Sequence, residues 1–174
     1  MAVSEITTQG ALGTQKEALP ALLAGGFSFA LLMGAFAFQY LGGLAPYEMC
    51  IWQRWPHGAA ILLGLGGGLL AKNRVLSRDA VRALAWLAVL AIAISGAIGV
   101  YHAGVEWKLW KGPPACTGLG FIPGLDDPNA AFKVVMCDVA QWRLFGISLA
   151  GYNAILSLGI AAFLASLLAR KGPL

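Results

Sequence analysis

Charge is scarce in this chain. Lysine, arginine, aspartate and glutamate make up 11% of its 174 residues, against about 25% in a soluble domain. Too few polar groups remain to cover a water-facing surface. The net charge of +4 does not mark a nucleic-acid binder, because the basic residues sit in short segments between apolar runs and form no nucleic-acid module. Cysteine and histidine are also few, at three and two residues, and no metal site is expected. There is no internal repeat. The glycines of "LLGLGGGLL" (Gly64, Gly66, Gly67, Gly68) are not a phosphate loop, since no lysine-threonine pair follows and the stretch lies inside an apolar run.

Apolar length is what the chain has in abundance. Four runs, over about 20–41, 51–71, 80–101 and 144–169, reach the roughly 20 residues a helix needs to cross a bilayer. Unbroken runs of this kind favour helices over the alternating strands of a barrel. The first is too long for the apolar core of a signal peptide and lacks a clear small-residue cleavage site. The expectation is one all-α membrane domain over 20–170, a four-helix bundle, with a polar and irregular tail at 1–19 and a short tail at 171–174. The glycines at 64–68 permit close helix contact in a membrane.

Basic residues orient the bundle. The 72–79 connection "KNRVLSRD" carries three, Arg170 and Lys171 close the chain, Lys16 precedes the first run, and 42–50 has none. Positive segments stay cytoplasmic. Both termini are therefore expected inside, and the short loop 42–50 and long loop 102–143 outside. Arg82 is expected to snorkel to the inner interface. Trp52, Trp55, Trp107, Trp110 and Trp142 fall near the outer boundary, as an interfacial belt does. Away from the interfacial ends, no run carries an acid or base suited to an ion path. In the long loop, Asp127 before Pro128 resembles an N-cap and N1 pair. It predicts a short helix over about 128–136 whose Phe132, Val135 and Met136 rest on the membrane surface.

Cysteine carries the chemistry. Cys50, Cys116 and Cys137 all fall on the outer side, which in a bacterial-type inner membrane is oxidising. Cys116 and Cys137 share the long loop. A disulfide between them would close 21 residues of chain, worth about 3 kcal/mol by loop entropy. A structural staple and a redox-active pair both remain open. Cys50 opens the second run, where the positive end of the helix dipole lowers a thiol's pKa. Arg54, four residues on, lies on the same face and adds to that effect. It could also hold a quinone carbonyl, or only meet lipid headgroups. Pro56 either kinks this first turn or marks a later helix start.

These segments are recognisable. "PYEMCIWQRW" resembles the Pro-Cys-x-x-Cys-x-x-x-Arg segment of the disulfide bond formation protein B (DsbB) family. "GVYHAGVEWKLWKGPPACTG" and "CDVAQWRLFGISLAGYNA" resemble that family's surroundings of its two long-loop cysteines. The resemblance covers nearly the whole chain beyond about residue 18.

It implies a quinone-dependent thiol:disulfide oxidoreductase of the inner membrane, passing electrons from a periplasmic thioredoxin-fold thiol oxidase, DsbA-like, to ubiquinone or menaquinone. Cys116 is then the cysteine attacked by the reduced partner and Cys137 its disulfide mate. Cys50 is the quinone-proximal cysteine and Arg54 the quinone-contacting arginine. His102 sits where the family has a residue near the quinone ring, though an interfacial histidine is also often merely solvated.

The chain departs from the pattern at Tyr47, which stands where the family has the first cysteine of Cys-x-x-Cys. A phenol cannot undergo thiol–disulfide exchange, so the relay is expected to be impaired. A deliberate substitution, a natural non-catalytic relative that binds quinone as an accessory subunit, and a thiol supplied by another protein are all open explanations.

Overall fold

The computed structural model describes residues 2–73, 75–117 and 136–170. Among the described residues five helices dominate: α1 (Ala2–Tyr40), α2 (Glu48–Ile61), α3 (Gly67–Lys72), α4 (Arg78–Glu106) and α5 (Leu149–Ala169). A π-helical turn, Leu62–Gly66, joins α2 to α3 without interruption, so the second apolar run is one helical rod with a local register shift. Among the described residues, three helices are long and apolar enough to cross a membrane: Ala18–Tyr40 of α1, α4 and α5.

Helix α4 is the centre of the bundle, packing on α5, α2 and α1. Its buried residues Val81, Ala85, Ala88, Ile92, Ser95, Gly99, His102 and Glu106 recur every three or four positions, the spacing of one helical face. The core they meet is built from small residues such as Ala21, Ala24, Ala60 and Ala161, closed by Leu164 and Leu168. Small residues let backbones approach closely, which is how helices gain dispersion energy in lipid. The crossing of α1 with the π turn is the extreme case. A Cβ on Gly64 would lie 2.5 Å from the Ala21 carbonyl oxygen and 2.6 Å from the Gly25 nitrogen. Gly67 faces Leu84 and Gly68 faces Leu22 just as tightly, whereas Gly66 points into open space.

Several boundaries differ from those read in the sequence. The polar first residues are helical, since α1 runs from Ala2; extending an existing helix costs little compared with nucleating one. Helix α2 begins at Glu48 and passes through Pro56 in its interior, whose missing N–H leaves one i to i−4 ladder bond unmade. Helix α4 continues to Glu106, past the end of its apolar run, so His102 sits inside the helix. Helix α5 starts only at Leu149, because Arg143–Leu144 and Ile147–Ser148 form a small antiparallel hairpin. Its two turn residues, Phe145 and Gly146, both have positive φ (50° and 80°), as a tight hairpin turn requires.

Ser148 then caps α5 by accepting from the Gly151 amide at 3.2 Å. At the opposite end of the bundle Arg82 donates to the Leu168 carbonyl at 2.6 Å, tying the start of α4 to the last turn of α5. The surface helix expected over about 128–136 lies outside the described residues except for Met136, which is exposed. The tail at 171–174 lies outside them too.

Candidate functional site: a polar-lined cavity beside a disulfide

The first turn of α2 sets the site. Tyr47 is the N-cap, with no side-chain capping bond, and Cys50, Gln53, Arg54 and His57 follow on one face of the helix. All of them line a cavity of about 360 Å³, within the range of small-molecule sites. Helix α1 contributes Ala35, Phe38 and Gln39, α4 contributes His102 and Glu106, and α5 contributes Ala150, Asn153 and Leu156. The walls are mostly apolar, with Trp142 and Leu144 of the loop before α5 at the outer side.

Arg54 is held by α1. Its Nη1 donates to Gln39 Oε1 at 2.7 Å, and its guanidinium lies 5.0 Å from the centroid of the Phe36 ring, within cation–π range. The fork of five donors leaves others free to meet an acceptor in the cavity.

A chain of buried polar groups runs behind the cavity. Gln53 Nε2 donates to His102 Nδ1 at 3.0 Å and to the Met49 carbonyl at 3.1 Å. Gln53 Oε1 accepts from Asn153 Nδ2 at 2.7 Å. Asn153 Oδ1 in turn accepts from Ser157 Oγ at 2.9 Å and lies 3.0 Å from His57 Nε2. His57 Nδ1 meets Ser28 Oγ at 3.2 Å. The donors fix the tautomers: an amide nitrogen on His102 Nδ1 leaves that ring's proton on Nε2. Yet His102 Nε2 and Glu106 Oε2 are buried with no hydrogen-bond partner among the described residues. The two side chains approach to 3.8 Å, longer than a hydrogen bond. Orphaned buried polar atoms are costly unless something meets them.

The disulfide stands on the other side of Cys50. Cys116 and Cys137 are bonded, with Cα atoms 5.2 Å apart, and both sulfurs are buried with Tyr47, Met49 and Val105. Cys50 packs against this cluster while also lining the cavity. It is not disulfide-bonded. Tyr47 touches both regions: its hydroxyl donates to the Val139 carbonyl, and its ring meets His102 edge-on at 5.8 Å. Gln141 donates to the Ala45 carbonyl at 2.7 Å, and the Trp142 ring rests 5.1 Å from Phe38. The segment after Cys137 is thereby strapped against the cavity, to whose wall Gln141 and Trp142 contribute.

The structure thus brings Cys50, Arg54 and His102 together around one cavity, with Cys116 and Cys137 next to Cys50 but not in the cavity wall. One sequence expectation reverses. Burial pushes the Cys50 thiol up, to about 11; a backbone hydrogen bond at Tyr47 and the charge of Arg54 oppose this without overcoming it, and the charge of Glu106 adds to it. Cys50 is partly accessible rather than fully buried, yet its burial opposes the thiolate that the helix start and Arg54 favour. The phenol of Tyr47 is likewise raised, chiefly by burial.

His57, a base, lies well inside the second apolar run, buried at 3% exposure, held by the bundle's own polar groups. Gln53, His57, Asn153 and Glu106 were not singled out in the sequence. The signal available was a polar stripe at 50, 53, 54 and 57 on a helix otherwise apolar.

Fold and site together define a helical membrane protein that carries a disulfide, a neighbouring free thiol and a lined cavity. Such an arrangement suits the exchange of electrons between thiols and a small apolar acceptor. The family model for disulfide bond formation protein DsbB matches residues 17–167, and the chain belongs to that family. It is 28% identical over 157 residues to the disulfide bond formation protein B of Dechloromonas aromatica (strain RCB), covering 81% of this chain and 86% of that protein. No solved structure matches the chain.

Proposed function

We propose that the chain is a quinone-dependent thiol:disulfide oxidoreductase of the bacterial inner membrane, with the second apolar run as its fourth span and both termini cytoplasmic. Its partner is a periplasmic thioredoxin-fold thiol oxidase of the DsbA type. The observation that carries the reading is the position of Cys50, packed on the cystine cluster on one side and lining the cavity on the other.

The cavity's chemistry suits a quinone, ubiquinone or menaquinone. A quinone presents two carbonyl acceptors on a flat apolar ring, and His102 Nε2–H is a buried donor with no partner in good hydrogen-bond geometry, only the Cys137 backbone lying near it. Arg54, fixed by Gln39 and Phe36, offers a second donor. When bound, the quinone supplies a sink for two electrons and two protons. The protein's share begins at the disulfide. A thiolate of the reduced partner attacks Cys116, and the partner's second thiol resolves the mixed disulfide, leaving Cys116 and Cys137 as thiols. Gln53 and Asn153 hold His102 in the tautomer that presents its proton to the cavity. The apolar walls and the strap against them keep water from the reacting sulfur.

Tyr47 occupies the place of the family's first inner cysteine, so the efficient route from loop pair to inner pair is missing. Purified protein mixed with reduced thiol oxidase and a short-chain ubiquinone tests this by loss of quinone absorbance. The parent chain is expected to turn over slowly and Cys50→Ser not at all. Tyr47→Cys is expected to be faster by roughly tenfold or more, since exchange needs a sulfur at that point. Full activity in Cys50→Ser would refute the site, and an unaccelerated Tyr47→Cys would refute the missing-relay reading.

A further inference from the structure

Oxidation of the Cys50 thiol must release a proton into the cavity that it lines. The titratable groups that line the cavity with it are Tyr47, Arg54, His57, His102 and Glu106, and both ring nitrogens of His57 are engaged, by Ser28 and Asn153. Arg54 is a permanent cation and Tyr47 a phenol. His102 keeps its Nδ1 lone pair engaged by Gln53 and its proton on Nε2, so it has no free lone pair to accept another. Glu106 is different. It lines the cavity, is 6% exposed, and has an unpartnered oxygen among the described residues. Ser148 hydrogen-bonds the carboxylate, and Arg143 bears on it electrostatically. Its charge also reaches both Cys50 and Tyr47.

From this geometry we propose that Glu106 is the proton carrier of the site, taking the proton of the Cys50 thiol and returning it to the acceptor reduced in the cavity. The assignment rests on the quinone reading above and goes beyond it by naming a residue and a proton route.

The balance closes with the three cysteines present. With the loop pair reduced, the Cys50 sulfur bonds to one loop sulfur. The two thiols give up two electrons and two protons. The quinone takes both electrons and becomes hydroquinone with two protons, one from Cys50 by way of Glu106 and one from the loop thiol. The remaining loop thiol then attacks the new bond, restores Cys116–Cys137 and frees Cys50 as a thiol. Glu106 ends as it began, a carboxylate.

Glu106→Gln keeps the shape and the capacity to accept from Ser148 but carries no proton. Two readouts separate a carrier from a structural residue. In quinone-free full-length protein with the cystine intact, the pH midpoint of Cys50 alkylation by iodoacetamide is expected to fall in Glu106→Gln, because a negative charge beside the thiol is gone. In protein reduced at all three cysteines, single-turnover reduction of a short-chain ubiquinone is expected to slow about a hundredfold at pH 7, the usual worth of a positioned acid–base group. It should then climb with pH where the parent is flat, although the variant holds more thiolate. Glu106→Asp should recover part of the rate.

An unmoved alkylation midpoint, or an unchanged rate of quinone reduction, overturns the proposal. Quinone binding, followed by quenching of tryptophan fluorescence, keeps the two levels apart. A parent that neither binds nor reduces quinone sinks the functional reading and the carrier with it. A parent that does both, with Glu106→Gln equal to it, overturns the carrier alone.

Discussion

At the scale of single residues, the contest at Cys50 is between burial and charge. The helix start and Arg54 favour thiolate, and both were visible in the sequence as a cysteine at the head of an apolar run with an arginine one turn on. Burial was not, because it comes from residues far along the chain, among them Val105 and Cys137. Burial wins, so Cys50 titrates at about 11. Its alkylation rate should therefore rise about tenfold per pH unit from neutrality to that midpoint, as for any thiol below its pKa. Arg54→Met removes a cation that lowers the midpoint and should move it upward, opposite in sign to Glu106→Gln. A midpoint in Arg54→Met equal to or below that of the parent would show that the guanidinium does not act on this sulfur.

Legibility at this scale followed chemistry at the edges of apolar runs. Cys50, Arg54 and His102 stand there and were nameable. Gln53, His57 and Asn153 acquire meaning only when α2 and α5 meet, 100 residues apart in the case of Gln53 and Asn153.

At the scale of elements, the helices were legible because lipid-length apolar runs leave the backbone few alternatives. Their ends were not. Glu106 ends α4 although the apolar run stops at Tyr101, and the hairpin before α5 interrupts a run that composition alone makes continuous. The π turn was equally hidden: its glycines announced close contact, but not with which helix. That contact is testable. Gly64→Val would drive side-chain atoms into the Ala21 carbonyl and Gly25, and overpacking of this kind costs about 1–3 kcal/mol. The Tm in detergent should fall clearly. Gly66→Ala, one turn-position away in open space, should leave Tm unchanged or slightly raised, since alanine is the better helix former. Equal effects of the two would mean that the α1 crossing is not where the helices touch.

At the scale of the whole molecule, the bundle has two unlike ends. One holds the α3–α4 connection, with Arg82 clasping the last turn of α5. The other holds the disulfide, the strap and the cavity. The proposed orientation, drawn from charge bias, puts the first end in the cytoplasm. A membrane-impermeant maleimide added outside intact spheroplasts should label Cys116 once the cystine is reduced. Labelling only after the cytoplasmic face is opened would invert the assignment.

The strap after Cys137 has its own consequence for the working cycle. Noncovalent contacts also hold it, among them Tyr47 to Val139, Lys108 to Asp138, Gln141 to Ala45, and Trp142 against Phe38. A loop pinned only by its cystine would swing away each time that bond opened, and its sulfurs would have to find Cys50 again by diffusion. None of these contacts involves the cystine sulfurs, so in the cycle proposed above they would hold the loop cysteine beside Cys50 when the bond opens. Amide hydrogen exchange over 136–142 should then change little when the cystine is reduced, and should rise in reduced Tyr47→Phe, which loses the hydroxyl that anchors the strap. Tyr47, whose phenol cannot exchange with a disulfide, ties the strap to the start of α2.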